Sequence, residues 1–403
     1  MSKVVIIGAG HAGGSVAGFL KQYGFEGEII LAGTEQVPPY QRPPLSKAWL
    51  KGEADESSLQ LRADSFYADN AIDLRLGVTA TSIDRDAKTV TFDDGRTEAY
   101  DYLVIATGSR ARRLPIPGGD DAGLLELRTT VDAERLKGAL GQGKRLAVIG
   151  GGYVGLEAAA SARALGAEAV GIERMDRVLQ RVASQTLSEF FTRRHTAEGV
   201  DIRTGAEVVA VSPTSVTFAD GEVLSADAVL VGIGAIANDE LGAEIGLDCA
   251  DGIIVDLEAR SSDPAIFAVG DVTRRPLPHY EGVLHRLESV PNALEQAKQV
   301  ASAIMGRPAP AAEVPWFWSD QYDSKLQIAG LPFGADSQVV RGNPDSGSFA
   351  VFHLNGDQIT CVEAVNAAQS FMFGKQAIAK AMPVNATILA DEAAPIKSAV
   401  IAG

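Results

Sequence analysis

The chain is poor in cysteine. Only Cys249 and Cys361 occur among its 403 residues, and they lie far apart in sequence. Two distant cysteines form neither a disulfide framework nor a metal-binding cluster, so both are predicted to be buried apolar residues. The five histidines show no ligand spacing, and no metal site is predicted.

Basic residues and long apolar runs are also scarce. The chain has 36 Lys and Arg against 52 Asp and Glu, a formal net charge of −16. Such an acidic chain is a poor non-specific nucleic-acid binder, although local basic patches stay compatible with an acidic partner. No apolar run approaches the roughly 20 residues of a membrane span, and no signal-peptide pattern precedes the first strand. The sequence therefore predicts a soluble, cytoplasmic protein that binds neither nucleic acid nor membrane.

Glycine, by contrast, forms two matching motifs, GAGHAG at 8–13 and GGGYVG at 150–155. Each follows a short run rich in Val and Ile and opens an Ala-rich segment that is predicted to be a helix. In that setting the glycines permit a tight turn that brings a pyrophosphate onto the helix N-terminus. The two units predict two bound dinucleotides, one held by Gly8, Gly10, Ala12 and Gly13 and the other by Gly150, Gly152, Val154 and Gly155.

The strand that follows each glycine motif offers a residue for a ribose hydroxyl. Glu35 lies 27 residues after Gly8, a little late for this role, and Thr34 is the alternative. Glu173 lies 23 residues after Gly150, close to the expected spacing. A carboxylate there repels a 2′-phosphate, which predicts NADH over NADPH, although the adjacent Arg174 could accept that phosphate.

Further polar and small residues follow the first motif. In the loop PPYQRPPLSK (38–47), prolines stiffen the backbone, so Arg42 is predicted near phosphates or ribose and Lys47 beside an electron-rich ring. The alternative is a surface loop with two solvated cations. Two apolar strands end in small residues that allow close approach of a cofactor, and Asp271 could bind a ribityl chain. The predicted contacts at these strand ends are Thr107, Gly108, Gly270 and Asp271.

The whole set of motifs resembles a known family. GAGHAG, PPYQRPPLSK, LVIATGS, GGGYVGLE and IFAVGD occur in this order, followed by RLESVPNALEQA (286–297) and PWFWSDQY (315–322). The chain resembles, over essentially its whole length, the FAD- and NADH-dependent ferredoxin reductases that supply bacterial haem monooxygenases and aromatic-ring dioxygenases. These belong to the two-dinucleotide-binding flavoproteins. The resemblance implies FAD and NADH as cofactors and a [2Fe–2S] ferredoxin as partner.

The resemblance also implies roles for individual residues. FAD contacts are implied at Ala12, Thr34, Lys47, Ala80, Arg128, Asp271 and Val290, with Trp318 near the isoalloxazine ring. Glu157 is implied to pair with Lys47 beside the flavin, and Tyr153 to cover the ring until nicotinamide displaces it. The predicted catalytic residues are thus Lys47, Tyr153, Glu157 and Trp318.

Three positions depart from the family pattern. Ala80 stands where valine is usual, and Thr34 stands where an acidic residue is common. The loop at 232–238 lacks the usual Arg-Pro pair before Asn238. Gly234 in this loop is predicted to contact the nicotinamide end of NAD.

The electron acceptor is predicted from the missing cysteines. Disulfide reductases of the superfamily carry paired cysteines near the flavin, and peroxidase-type relatives carry one early cysteine. Both cysteines here are too late in the chain, which leaves a one-electron protein acceptor. A ferredoxin is acidic, so a basic docking face is expected. Lys298 and Lys397 match positions where relatives present cations, and the alternative is that both are solvated surface charges. The alternatives are an NADH oxidase or diaphorase, and a redox-signalling flavoprotein resembling apoptosis-inducing factor.

The predicted fold class is α/β, with two Rossmann-type domains and a C-terminal α+β domain. The FAD domain is predicted over 1–112 and 244–315, with the NAD domain, 113–243, inserted. An interface domain is predicted over 316–403, with strands at Gln338–Arg341, Phe349–Leu354 and Thr360–Val365.

Overall fold

The structure, a computed structural model, describes residues 2–401. Contacts among them divide the chain into two compact units. The first unit contains 2–42, 56–110 and 236–315, and the second contains 43–55, 111–235 and 316–401. Each unit is therefore built from three separate stretches of chain.

The first unit is organised around a five-stranded parallel sheet. Its strands, in spatial order, are Ile266–Ala268, Tyr102–Ile105, Lys3–Ile7, Glu28–Gly33 and Ile72–Leu76. Val4, Val5 and Ile6 are fully buried, as expected for a central parallel strand covered on both faces. The helices His11–Gln22 and Val290–Ile304 contribute Leu20 and Val300 to the core on one face of this sheet.

Shorter elements complete the first unit. The helices are Glu56–Leu59, Ser65–Asp69 and Glu240–Glu244. One small antiparallel sheet consists of Ala80–Asp84, Thr89–Phe92 and Thr97–Ala99, and another sheet consists of Ile253–Ile254, Thr273–Leu277 and Val283–His285. Two short strands, Ser109–Ala111 and Ala235–Ala237, occur where the chain passes from one unit to the other.

The second unit contains a four-stranded parallel sheet. The strand order is Val200–Arg203, Glu168–Ile172, Arg145–Ile149 and Ala228–Val231. The helices of this part are Ala48–Lys51, Thr130–Ala139, Tyr153–Ala164 and Gln185–Ala197. A small antiparallel sheet is formed by Val208–Ser212, Ser215–Phe218 and Val223–Ser225.

The same unit contains a five-stranded antiparallel sheet near the C-terminus. Its order is Trp316–Gln321, Ser324–Gly330, Gln358–Val365, Ser348–Asn355 and Ser337–Asn343, with helices Ala368–Ala379 and Ala386–Ala390. The three strands predicted here from the sequence are confirmed, each slightly longer than expected. Phe191 of the helix Gln185–Ala197 shares a buried cluster with Leu326 and Phe349 of this sheet. One core therefore joins the parallel and antiparallel sheets of the second unit.

The predicted fold class is confirmed by the two parallel sheets and the C-terminal α+β part. The three predicted domains stay a prediction, because the contacts define two units rather than three. They also group Pro43–Asp55 with the second unit, whereas the sequence placed this segment in the first domain. The buried side chain of Leu50 explains this grouping, since it belongs to the core around the second parallel sheet.

The two glycine turns have the same backbone construction. Gly8 has φ +111° and Gly150 has φ +114°, backbone angles that residues with a side chain rarely adopt. A Cβ on Gly8 would collide with the carbonyl oxygen of Ala106, and a Cβ on Gly150 would collide with that of Gly232. Each turn therefore brings a strand end and a helix start against a neighbouring strand end, which only glycine permits.

We expect Gly150→Ala to lower the free energy of unfolding by about 2–4 kcal/mol, because the new Cβ meets backbone and the φ angle is unfavourable. Gly138→Ala is the control, since Gly138 lies in the helix Thr130–Ala139 and a Cβ there meets nothing within 4 Å. That change should stabilise the protein slightly. Chemical denaturation of both variants measures the difference, and equal midpoints would contradict this account of the turn.

Candidate dinucleotide-binding sites

The first glycine turn forms a cationic cradle. The helix His11–Gln22 begins directly after Gly10, and no side chain of the described residues caps its N-terminus. The nearest atom to an ideal Cβ on Gly10 is Nη2 of Arg42, at 3.9 Å. Unpaired amide groups at a helix start, with a guanidinium beside them, favour an anion. The residues present therefore fit the pyrophosphate of a dinucleotide.

Arg42 is held in place by a polar cluster. Its Nη2 donates to Oε1 of Glu35 at 2.5 Å, and its Nη1 donates to the hydroxyl of Tyr40 at 2.9 Å. The same hydroxyl donates to Oε2 of Glu35 at 2.7 Å. Sequence reasoning missed Tyr40, although it lies two residues before Arg42 in the proline-rich loop. Both Glu35 oxygens are engaged, while Thr34 Oγ1 lies 3.4 Å from Thr79 Oγ1, so the choice of ribose contact between these two residues stays open.

His11 adds a second feature that fits a polar ligand at this turn. Its Nδ1 is buried and has no hydrogen-bond partner among the described residues. Burial lowers the pKa of His11 to about 4, with Asp271 opposing this effect and Arg42 adding to it. The ring is therefore neutral at pH 7, and a buried polar atom without a partner is costly. A polar cofactor group at this turn would remove that cost.

The predicted strand-end residues lie at the same edge of the first parallel sheet. A Cβ on Gly270 would lie 3.0 Å from Cβ of Ala12, so Gly270 allows the close approach that the sequence predicted. Asp271 accepts a hydrogen bond from Ser109 Oγ at 3.1 Å. The Thr107 hydroxyl instead donates to the carbonyl of Asn238 at 2.7 Å, and this hydroxyl fixes the loop that contains Asn238.

The second glycine turn is closed by Glu173. Its Oε2 accepts a hydrogen bond from the amide of Gly151 at 2.7 Å, and its Oε1 accepts from the amide of Met175 at 2.8 Å. A Cβ on Gly152 would meet no atom within 4 Å, so the start of the helix Tyr153–Ala164 is open. The side chain of Arg174 is exposed. A carboxylate fixed beside the turn, with lone pairs to spare, fits a ribose diol.

A buried ion pair joins Lys47 and Glu157. Lys47 Nζ lies 2.6 Å from Oε2 of Glu157, whose side chain is only 5% exposed. The Ser46 hydroxyl donates to the same oxygen at 2.5 Å, and the Ser319 hydroxyl donates to Oε1 at 2.5 Å. The contact implied by the resemblance is therefore present. Sequence reasoning missed both serines, although Ser46 is adjacent to Lys47 and Ser319 is adjacent to Trp318 on one strand.

Tyr153 and Trp318 lie in aromatic surroundings. The ring centroids of Tyr153 and Phe317 are 4.8 Å apart, and the Tyr153 hydroxyl donates to the carbonyl of Val182 at 3.3 Å. Trp318 is half-buried and lies 5.6 Å from the ring of Trp316. Phe317 and Trp318 are neighbours on a strand and so point to opposite faces. The roles of Tyr153 and Trp318 toward flavin and nicotinamide stay predictions.

The remaining predicted residues are distributed over both units. Ala80 is buried in a strand, Val290 begins a helix, and Arg128 precedes the capping box of the helix Thr130–Ala139. Gly234 has φ +109° and lies near Arg181. The first unit contains Gly8, Gly10, Ala12, Gly13, Thr34, Glu35, Arg42, Ala80, Thr107, Gly108, Gly270, Asp271 and Val290, and the second contains Lys47, Arg128, Gly150, Gly152, Tyr153, Val154, Gly155, Glu157, Glu173, Gly234 and Trp318. Their ligand contacts stay predictions.

Across residues 2–401, no helix is both long enough and apolar enough to cross a membrane. Within the same residues, no group of three or more His, Cys, Asp or Glu side chains could hold a metal ion.

Comparison with known proteins agrees with this architecture. Residues 2–297 match the model of the pyridine nucleotide-disulphide oxidoreductase family, and residues 316–400 match that of the reductase C-terminal domain. The chain is 50% identical to a probable ferredoxin reductase of Castellaniella defragrans, over 93% of each chain. It is 42% identical to rhodocoxin reductase of Rhodococcus erythropolis, over 98% of this chain and 94% of the relative. The structure matches that of a covalent putidaredoxin reductase–putidaredoxin complex with a TM-score of 0.96 and 42% identity, over 98% of this chain and 97% of that one.

The fold and its two glycine turns define an oxidoreductase with two dinucleotide sites. The chain belongs to the pyridine nucleotide-disulphide oxidoreductase family, in the branch whose members are named as ferredoxin reductases. The resemblance found in the motifs is thereby confirmed, as are FAD and a pyridine nucleotide as cofactors.

We expect Glu173→Ala to reduce the preference for NADH over NADPH at least tenfold, measured as the ratio of the two kcat/KM values. The variant loses both the ribose acceptor and the charge that repels a 2′-phosphate. Glu168→Ala is the matched control, because Glu168 begins the strand that Glu173 directly follows and its carboxylate is paired to Arg145. A wild-type enzyme that prefers NADPH, or an unchanged ratio in Glu173→Ala, would contradict this assignment.

Proposed function

We propose that the protein is a ferredoxin reductase that passes electrons from NADH through FAD to a [2Fe–2S] ferredoxin. The ferredoxin in turn supplies a haem monooxygenase or a ring-hydroxylating dioxygenase. The observation that carries the proposal is the pair of equivalent glycine turns in one chain, around Gly8 and Gly150. A chain that binds two redox dinucleotides is suited to move electrons between them.

The state of the cysteines supports a protein acceptor rather than a disulfide substrate. Burial raises the pKa of the Cys249 thiol, and it raises the pKa of Cys361 well above the ordinary value. Both thiols are therefore protonated at neutral pH, whereas the reactive form of cysteine is the thiolate. Neither thiol is suited to exchange with a disulfide.

The residues of the chain have distinct tasks in this proposal. Arg42 and the amides after Gly10 would hold the FAD pyrophosphate, and Asp271 would bind its ribityl chain. Glu173 would orient NADH through its ribose, and the Lys47–Glu157 pair would serve hydride transfer. When bound, FAD accepts two electrons together from NADH and releases them one at a time. Nothing in these steps requires a protein thiol.

The partner is proposed from the relatives and from surface charge. The relative in the solved complex is joined to putidaredoxin, and other relatives are named for a ferredoxin. Lys397 is exposed on the turn Ile396–Ala399, so it is available to an acidic protein. Lys298 is half-buried, with its Nζ 5.8 Å from the ring centroid of Phe19. We propose docking through both lysines, in a cytoplasm that contains NADH and the ferredoxin.

The first test is stopped-flow mixing of the purified protein with NADH and then with a panel of [2Fe–2S] ferredoxins. We expect rapid loss of the oxidised flavin absorbance, followed by ferredoxin reduction that slows as salt is added. Rapid flavin reduction that is reoxidised only by oxygen or quinones would indicate the oxidase or diaphorase. Slow turnover with a persistent nicotinamide–flavin complex would indicate the signalling flavoprotein.

We expect Lys397→Glu to lower kcat/KM for the ferredoxin at least tenfold at low ionic strength, since a reversed charge slows association with an acidic partner. NADH-dependent reduction of ferricyanide should stay within twofold of wild type. Lys325→Glu gives the same charge change at another exposed position of the second unit. Equal losses in both variants would show a net-charge effect and reject docking at Lys397.

A further inference from the structure

A chain of buried hydrogen bonds ends at the Glu157 carboxylate. Ser319 Oγ donates to Glu157 Oε1 at 2.5 Å, and Gln321 Nε2 donates to Ser319 Oγ at 3.1 Å. Gln321 Oε1 lies 2.8 Å from His195 Nε2, and the Tyr322 hydroxyl lies 3.1 Å from His195 Nδ1. Glu157, Ser319, Gln321 and His195 are each at most 4% exposed. The chain runs within the second unit, from the half-buried Tyr322 inward to the ion pair with Lys47.

The donor and acceptor roles along this chain follow from its inner end. A carboxylate only accepts, so Ser319 spends its one proton on Glu157 and can only accept from Gln321. Gln321 must therefore direct its amide nitrogen to Ser319 and its oxygen to His195. This arrangement requires a proton on His195 Nε2. Its Nδ1 then accepts from the Tyr322 hydroxyl, because burial lowers the pKa of His195 and keeps the ring neutral.

We propose that Ser319, Gln321, His195 and Tyr322 are positioning residues for Glu157, and that the carboxylate sets the direction of all their hydrogen bonds. The chain fixes Oε1, so that Oε2 faces Lys47 and Ser46. Aligned hydrogen bonds polarise one another and strengthen the last bond, which falls on the carboxylate. The chain transmits position and polarity rather than protons, because the amide of Gln321 separates His195 from Ser319.

The consequence for catalysis rests on the proposed function, in which the Lys47–Glu157 pair serves hydride transfer. A lysine beside a reacting ring acts through its position, and a partner that is fixed by one oxygen keeps that position constant. The charged groups near Tyr322, at the outer end of the hydrogen-bond chain, do not take the place of Glu157 as the partner of Lys47. Arg194 lies over the Tyr322 ring and pairs with Glu198 and Asp323, all at the far end of the chain from Lys47.

The first test reads the tautomer of His195 by ¹⁵N NMR of the FAD-loaded protein with labelled histidine. His195→Asn identifies the signal among the five histidines. We expect a neutral ring with its proton on Nε2 between pH 7 and 8. Glu157→Gln should shift the signal toward a mixture of both tautomers, because glutamine can also donate to Ser319. Glu392→Gln, the same change at an exposed position, should leave the signal unchanged.

Tyr322→Phe tests the direction of the chain at its outer end. This variant removes only the hydroxyl at His195 Nδ1, so the proton should stay on Nε2. A wild-type proton on Nδ1 would overturn the proposal, and so would an unchanged signal in Glu157→Gln. If the tautomer changes in Tyr322→Phe but not in Glu157→Gln, the direction of the hydrogen bonds is set by Tyr322 and not by Glu157. That result would also reject the proposal.

The second test measures flavin reduction by NADH in Ser319→Ala. We expect the rate to fall about tenfold with the Kd for NADH within twofold of wild type, as a lost hydrogen bond to a charged group predicts. Ser337→Ala, an exposed hydroxyl in the same sheet, is the control and should keep the wild-type rate. If the histidine signals follow the expected pattern but this rate is unchanged, the proposed direction of the hydrogen bonds is supported. The role of Glu157 in the proposed function is then rejected. If Ser319→Ala does not fold, Gln321→Met gives the same comparison one step further out.

Discussion

The second unit depends on one buried carboxylate, that of Glu157. A charge taken out of water is tolerated only when hydrogen bonds and an opposite charge replace its hydration. Here Lys47 and Ser46 come from the segment 43–55, Glu157 from the helix after the second glycine turn, and Ser319 from the antiparallel sheet. Three distant stretches of chain must therefore meet before the charge is satisfied. Because Ser161 also binds the carbonyl of Ser46 at 2.6 Å, the same helix holds this segment twice.

That constraint explains why the segment Pro43–Asp55 groups with the second unit although its neighbours in sequence belong to the first. The segment places Lys47 and Leu50 on the second unit, one in the ion pair and one in the hydrophobic core. Arg42, one residue before the segment, is fixed instead by Glu35 and Tyr40 of the first unit. The proline-rich loop thus delivers two cations to two different carboxylates. Its four prolines limit the backbone freedom that such a division would otherwise require.

The sequence was sufficient for the parts of the site that depend on local pattern. The glycine spacing located both turns, and the Ala-rich helix predicted after the second turn is observed as Tyr153–Ala164. Glu173 was found because its distance from the glycine turn is set by one strand–helix–strand unit. Ser319 and His195 could not be found in this way, because their partners lie more than a hundred residues away in sequence. The alternation in WFWSDQ does place Ser319 and Gln321 on one face of the strand. It does not identify Glu157 as the carboxylate at the end of their hydrogen bonds.

Arg42 and Lys47 form ion pairs that differ in exposure, and this difference suits them to different tasks. Arg42 and Lys47 are each paired with a carboxylate at 2.5–2.6 Å, so neither is a free charge. The Arg42 pair is about a quarter to a third exposed, which lets an incoming pyrophosphate share the guanidinium at little desolvation cost. The Lys47 pair has a carboxylate that is 5% exposed and fixed by two serines, so its geometry resists exchange. A partly exposed pair can share its cation with a ligand, which suits binding. A buried pair cannot do so, and it suits the constant positioning that the proposed hydride transfer needs.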